Sequence, residues 1–145
     1  MRIITGTARG TKLITLSGEA TRPTAERTKE AVFSIIQFDI EGRRVLDLFA
    51  GSGQLALEAL SRGASDAVMC DASKEAANII RKNPEKTRMT DRAKIFCCDF
   101  LKLIPNLSGN RFDLVFLDPP YALKLIPSAL AALISNKTVK PTALI

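Results

Sequence analysis

From residue 44 onward, short apolar runs alternate with stretches in which apolar residues recur every three or four positions, a pattern that predicts strand–helix units. The runs at Arg44–Phe49, Asp66–Cys70, Lys94–Cys98 and Phe112–Leu117 read as strands. The stretches Gln54–Arg62, Lys74–Asn83 and Leu125–Ser135 read as helices, with a short helix near Phe100–Ile104. Gly63 is the expected C-terminal cap of the first helix, and Pro84 the expected stop of the second. Thr142–Ile145 begins a fifth strand. Strands that are apolar almost throughout and are separated by helices imply an α/β fold: a mostly parallel sheet with helices on both faces. Upstream, residues 1–16 read as two short strands broken at Gly6–Gly10, an N-terminal β-hairpin. After a turn through Ser17 to Pro23, residues 24–38 place Ala25, Ala31, Val32, Phe33, Ile35 and Ile36 on a helical period, with Thr24 as the cap.

Composition narrows this picture. A chain of 145 residues, 46% hydrophobic, suits a single domain, with 1–38 as hairpin and helix and 39–145 as the core. No apolar run approaches the ~20 residues of a membrane span, and the N-terminus lacks the features of a secretory signal, so a cytoplasmic location is expected. Cys70, Cys97 and Cys98 are odd in number and have no CxxC spacing, and they read as buried reduced thiols with no metal role. Histidine is absent, which removes Ser-His-Asp and Cys-His catalysis and histidine-containing zinc sites. The net charge of +6 is uneven: residues 1–30 carry +3 and residues 81–94 carry +4, with −3 over residues 31–80. The basic N-terminal region points to a polyanionic partner.

The run Phe112–Leu117 ends in Asp118-Pro119-Pro120-Tyr121. Neither proline can donate a backbone hydrogen bond, and each restricts the residue before it to extended geometry, so the strand must leave as a stiff turn. That turn presents a carboxylate, free carbonyls and an aromatic ring. The exocyclic amine of a nucleobase is a poor nucleophile because its lone pair is delocalised into the ring. Two acceptors, such as Asp118 and the Pro119 carbonyl, localise that pair, and Tyr121 can stack on the base for roughly 1–3 kcal/mol. The segment reads as an amine-methylating site, against the plainer reading of a strand-ending turn with an aromatic plug.

Ligands in such sheets bind beyond the carboxyl ends of the strands. Asp47, Asp71, Asp99 and Asp118 each fall at or just past such an end, so four carboxylates converge on one rim. Gly51-x-Gly53-x-x-Ala56, with Asp71 about 20 residues on, also fits a loose dinucleotide fingerprint, which keeps a nicotinamide or flavin enzyme open. Asp47, however, would repel a pyrophosphate held at this turn, whereas the ammonium and sulfonium of S-adenosyl-L-methionine gain from a nearby anion. Gly51 and Gly53 allow close backbone approach, Asp71 suits the ribose hydroxyls, and Asp99 with Phe100 suits the adenine. Asp47 and Asp99 as plain helix-capping residues is the competing reading.

The segments Thr21–Phe33, Asp47–Ala64 and Asp118–Tyr121 together resemble the RsmD family, bacterial 16S ribosomal RNA guanine-N2 methyltransferases, and the resemblance runs through essentially the whole chain. It implies a Rossmann-like class I methyltransferase fold and S-adenosyl-L-methionine as cofactor. Asp47, Phe49, Gly51, Ser52, Gly53, Asp71, Ala72, Asp99 and Phe100 would hold the cofactor. Asp118, Pro119, Pro120 and Tyr121 would hold a flipped guanine. Arg9, Lys12, Arg22 and Arg27 would meet the RNA, and the partner would be 16S ribosomal RNA in a small ribosomal subunit or its assembly intermediate. The family's relatives continue past Ile145 with an antiparallel pair, so the C-terminal strands are expected to be missing. An adenine-N6 methyltransferase, and an RNA-binding homologue inactive through that loss, remain the alternatives.

Overall fold

The apolar runs become five strands in the computed structural model, which describes residues 2–15, 23–119 and 124–145. They are β1 (Arg44–Asp47), β2 (Asp66–Asp71), β3 (Ala93–Cys97), β4 (Phe112–Phe116) and β5 (Val139–Leu144). All pair in parallel in the order β3-β2-β1-β4-β5. Among the described residues five α-helices accompany them: α1 (Pro23–Ile35), α2 (Gln54–Ser61), α3 (Lys74–Thr87), α4 (Phe100–Leu103) and α5 (Ile126–Ser135). The predicted α/β class and Rossmann-like fold are therefore observed.

Alternation along the strands divides the core into two layers. Val45, Met69, Leu114 and Phe116 face a cluster containing Phe33, Leu57, Leu60 and Ile80. Leu46, Val68, Cys70 and Val115 face the other way, against Phe100, Leu103, Ile104 and Leu133. Fully burying a Leu or Phe side chain stabilises by roughly 1.5–3 kcal/mol. β4 is buried at every position, while β3, at one edge, is largely open. Its Cys97 is consequently exposed and Cys98 half-buried, so only Cys70 fits the expectation of a buried thiol. At the opposite edge, β5 begins at Val139, earlier than the expected Thr142, and includes Pro141. An edge position tolerates a proline because no ladder bond from its nitrogen is needed on the open side.

Three local predictions change. The N-terminal hairpin forms no regular strand: one antiparallel bridge joins Arg2 and Lys12, with the Ile3 amide donating to Thr11 O and the Gly10 amide to Ile3 O. On α1 the inward face is Lys29, Phe33 and Ile36, the last just beyond the helix, while Val32 and Ile35 are exposed. Pro84 does not end α3, which runs one turn further. There Thr87 Oγ1 donates to the carbonyls of Asn83 and Pro84, and Arg88 takes the left-handed C-cap at φ 58°.

Segment 2–15 is fastened to α2 by buried polar groups. Glu58, fully buried, accepts from the amides of Ile4 (2.8 Å) and Thr5 (3.1 Å) and pairs with Lys29 Nζ (3.0 Å) and Arg62 Nε (2.9 Å). Lys29 Nζ also donates to Arg2 O, and burial holds its pKa below the usual lysine range despite Glu58 beside it. Ser61 receives the Ala8 amide and donates to Thr5 O. Gly6, at φ 95°, passes so near Ser61 that a Cβ would lie 1.9 Å from its carbonyl oxygen, so only glycine fits.

Candidate active site

The site begins where β1 ends. Asp47 is the last residue of β1, opposite Met69 of β2 and Phe116 of β4. The chain then turns through Gly51-Ser52-Gly53 into α2. Gly53 has φ 84°, and a Cβ there would press on Ile80 and Met69, so its glycine is required by conformation and packing. Asp71 at the end of β2 fixes this turn: Oδ2 accepts from the Gly51 amide at 3.0 Å, and Oδ1 from the Ser73 amide at 2.9 Å. Asp99 caps α4, with Oδ1 accepting from the Leu101 amide at 2.8 Å. The capping reading of Asp99 is thus realised alongside its place on the rim.

A cavity of about 690 Å³ opens over these strand ends. Its walls include Phe49, Gly51, Asp71, Ala72, Asp99, Phe100, Asp118 and Pro119, so eight of the residues singled out from sequence meet at one space. Phe49 and Phe100 lie with ring centroids 5.0 Å apart and form an apolar side. Asp118 is exposed and Pro119 buried. Asp47, Ser52 and Gly53 stand behind the wall and do not line it. Pro120, Tyr121 and Arg22 lie outside the described residues.

The electrostatics of the rim are one-sided. Asp47 is 1% exposed, and burial, with Asp118 and Asp71 adding like charge, pushes its pKa up to about 7. Only its Oδ1 has a partner, the Phe49 amide at 3.2 Å, and Oδ2 is buried without one. Gln54, which lines the cavity, also has a buried Oε1 with no partner. Two orphaned acceptors flanking one glycine turn fit a ligand rich in donors and positive charge, since buried polar atoms are otherwise satisfied. Gln54, Leu48, Leu55, Cys98 and Leu125 are wall residues that sequence reasoning missed. Gln54 alone had a signal, its position at the first turn of the helix after the glycines.

Arg9 and Arg27 do meet, with Arg2, around a smaller groove of about 360 Å³ that also holds Glu26 and Glu30. Lys12 lies across the bridge from Arg2. A cavity of about 680 Å³ beside β5, lined by Arg111, Leu133, Lys137 and Pro141 among others, contains none of the candidate residues. Among the described residues, no group of three or more His, Cys, Asp or Glu is placed to hold a metal, and no helix is long and apolar enough to cross a membrane.

Comparison with known proteins places this chain in a family. Residues 1–145 match the family described as "Conserved hypothetical protein 95". The chain is 40% identical over 149 residues to ribosomal RNA small subunit methyltransferase D of Haemophilus influenzae, covering all of this chain and 76% of that protein. It is 32% identical over 145 residues to the protein of the same name from Escherichia coli, covering 100% and 72%. A solved structure of a hypothetical protein from Thermus thermophilus superposes with a TM-score of 0.82 at 30% identity, covering 97% of this chain and 80% of that one. The chain spans about three quarters of these relatives, and belongs to the RsmD family of methyltransferases.

Proposed function

We propose that this protein transfers a methyl group from S-adenosyl-L-methionine to the N2 amine of a guanine in 16S ribosomal RNA, within a small ribosomal subunit or its assembly intermediate. The observation that carries the reading is the cavity over the strand ends, where Asp71, Asp99 and Asp118 share one space with the unpartnered oxygens of Asp47 and Gln54 behind and beside it. The cofactor would supply an electrophilic methyl group. Asp47 and Gln54 would answer its positive and donor groups, Asp71 with Ala72 its ribose, and Asp99 with Phe49 and Phe100 its adenine. Gly51, Ser52 and Gly53 form the backbone turn beneath it. The names of the relatives support the ribosomal RNA, and Arg9 and Arg27 at the N-terminal groove, together with Lys12 and Arg22 elsewhere in the N-terminal region, would contact its phosphates.

On the acceptor side, Asp118 and the Pro119 carbonyl accept from the amine and draw its lone pair out of the aromatic system. Asp118 would take the proton that the amine sheds after transfer. Tyr121 and Pro120 are assigned to the base-holding side of this reading, Tyr121 as the ring that would stack on the guanine. A paired guanine cannot present N2 at such a rim, so the base must be flipped out, at a cost of a few kcal/mol.

The deciding test is incubation of the protein with labelled S-adenosyl-L-methionine and small subunits from cells lacking the enzyme, followed by nucleoside analysis. Label in N2-methylguanine is expected. Label in N6-methyladenine would transfer the site to the adenine enzymes, and binding of subunits without transfer would make the chain an inactive homologue.

A further inference from the structure

Asn83 on α3 is fully buried and lies outside the cavity. Its Nδ2 donates to Ile14 O at 2.8 Å and to Ser52 O at 2.8 Å, and its Oδ1 accepts from the Ile14 amide at 2.7 Å. Only this orientation of the amide satisfies all three partners, because Ile14 offers one donor and one acceptor and Ser52 one acceptor. Ile14 belongs to the N-terminal segment, and Ser52 sits between the two glycines of the turn under the cavity. One side chain therefore holds both.

We propose that Asn83 is a positioning residue that couples the cofactor cavity to the N-terminal segment. A ligand touching Gly51 or Gln54 bears on the Ser52 carbonyl between them, and through Asn83 on both backbone polar groups of Ile14. Only Ile3, Ala8 and Leu13 of the segment 2–15 are buried apolar anchors. The rest of its attachment is polar and includes bonds to Lys29, Glu58, Ser61 and Asn83. Occupancy of the cavity then restrains the segment that carries Arg9 and Lys12, and by reciprocity a restrained segment raises affinity for the cavity's ligand. Coupling of this kind is worth roughly 5-fold to 150-fold in affinity. The inference rests on the reading that the cavity holds S-adenosyl-L-methionine.

Calorimetry with S-adenosylhomocysteine, the unreactive product form, reports first whether the cavity takes this ligand. Amide hydrogen exchange of residues 2–15 is then followed with and without it. In the wild type we expect saturating ligand to slow exchange of this segment about fivefold, the lower bound of such coupling. Asn83→Leu, which removes all three bonds, should weaken ligand binding by a similar factor and abolish the slowing. Thr87→Val, one turn along α3, loses the bonds of its hydroxyl to the carbonyls of Asn83 and Pro84 but touches neither Ile14 nor Ser52, and should keep the slowing. Should Asn83→Leu fail to fold, Asn83→Ser, too short to reach Ile14 and Ser52 together, serves in its place. Binding without slowed exchange in the wild type, or slowing that survives loss of Asn83, overturns the coupling alone. Absence of binding overturns the cofactor reading as well.

Discussion

Glu58 and Asp47 are both buried carboxylates, and they are treated in opposite ways. Glu58 has two backbone amides, a lysine and an arginine around its two oxygens. Asp47 has one amide, two neighbouring carboxylates and one oxygen with no partner. Burying a charge is tolerable only where it is paired and hydrogen-bonded. Glu58 meets that condition within the fold, so its work is finished when the protein folds. Asp47 does not meet it and keeps its proton up to about pH 7; in the proposed reading a cationic ligand would supply the counter-charge for its ionised form. The difference separates a carboxylate satisfied within the fold from one that, in the proposed reading, awaits a ligand, although Glu58 lies on α2 and Asp47 ends the strand that leads into it.

The sharpest way to break this contrast is to make Glu58 resemble Asp47. Glu58→Ala leaves Lys29 buried without its partner and should cost about 3–5 kcal/mol of stability, read as an early midpoint in urea denaturation. A loss under about 1 kcal/mol would show that Lys29 escapes to solvent. Next in size is Asp118, the carboxylate that faces the open cavity. Asp118→Ala should reduce methyl transfer by about a hundredfold or more while leaving cofactor affinity, measured by calorimetry, within about twofold. A large loss of affinity would put Asp118 on the cofactor side instead.

Asp47 gives a pH signature of definite sign. Its folded pKa of about 7 lies above its unfolded value near 3.8, so the folded form binds the extra proton between these values. The contribution is present in full below about pH 4 and is lost as pH rises through 7, and it amounts to something on the order of 4 kcal/mol. Asp47→Asn should therefore flatten the decline in stability of the ligand-free protein from pH 4 to 7 and raise its melting temperature at pH 8. A cationic ligand favours the ionised form, so cofactor affinity in the wild type should climb from pH 5 to 8 with release of a proton, and Asp47→Asn should abolish that climb. Unchanged pH dependence in the variant would remove Asp47 from this role. The smallest effect belongs to the surface: Arg9→Ala or Arg27→Ala should weaken RNA binding uniformly across sequences and lower the salt slope by about one, read by filter binding over a range of salt.

Much of the rim was legible because its residues stand at punctuation points. Asp71, Asp99 and Asp118 follow apolar runs, and the glycines after Asp47 announce the turn. The buried network was not legible, because Lys29 and Glu58 lie mid-helix, where charge ordinarily marks the solvated face; only their meeting across α1 and α2 reverses that. The apolar Val32 and Ile35 misled in the same way, pointing outward while Lys29 turned in. Pro84 signalled a helix end that the Thr87 bonds displaced by one turn. Asn83 was read only as the residue before that end, whereas its partners lie 69 and 31 positions away.

The order of strands carries one further consequence. β1 and β4 are adjacent, with Asp47 level with Phe116, two residues before Asp118. Neighbouring strands are held about 4.8 Å apart by their ladder of hydrogen bonds. In the proposed reaction, donor and acceptor are thus mounted on the two jaws of a calliper whose gap the sheet has locked. Changes in the turns beyond the strands can tilt what each jaw holds, and so alter which amine is chosen, but the span between the jaws belongs to the backbone.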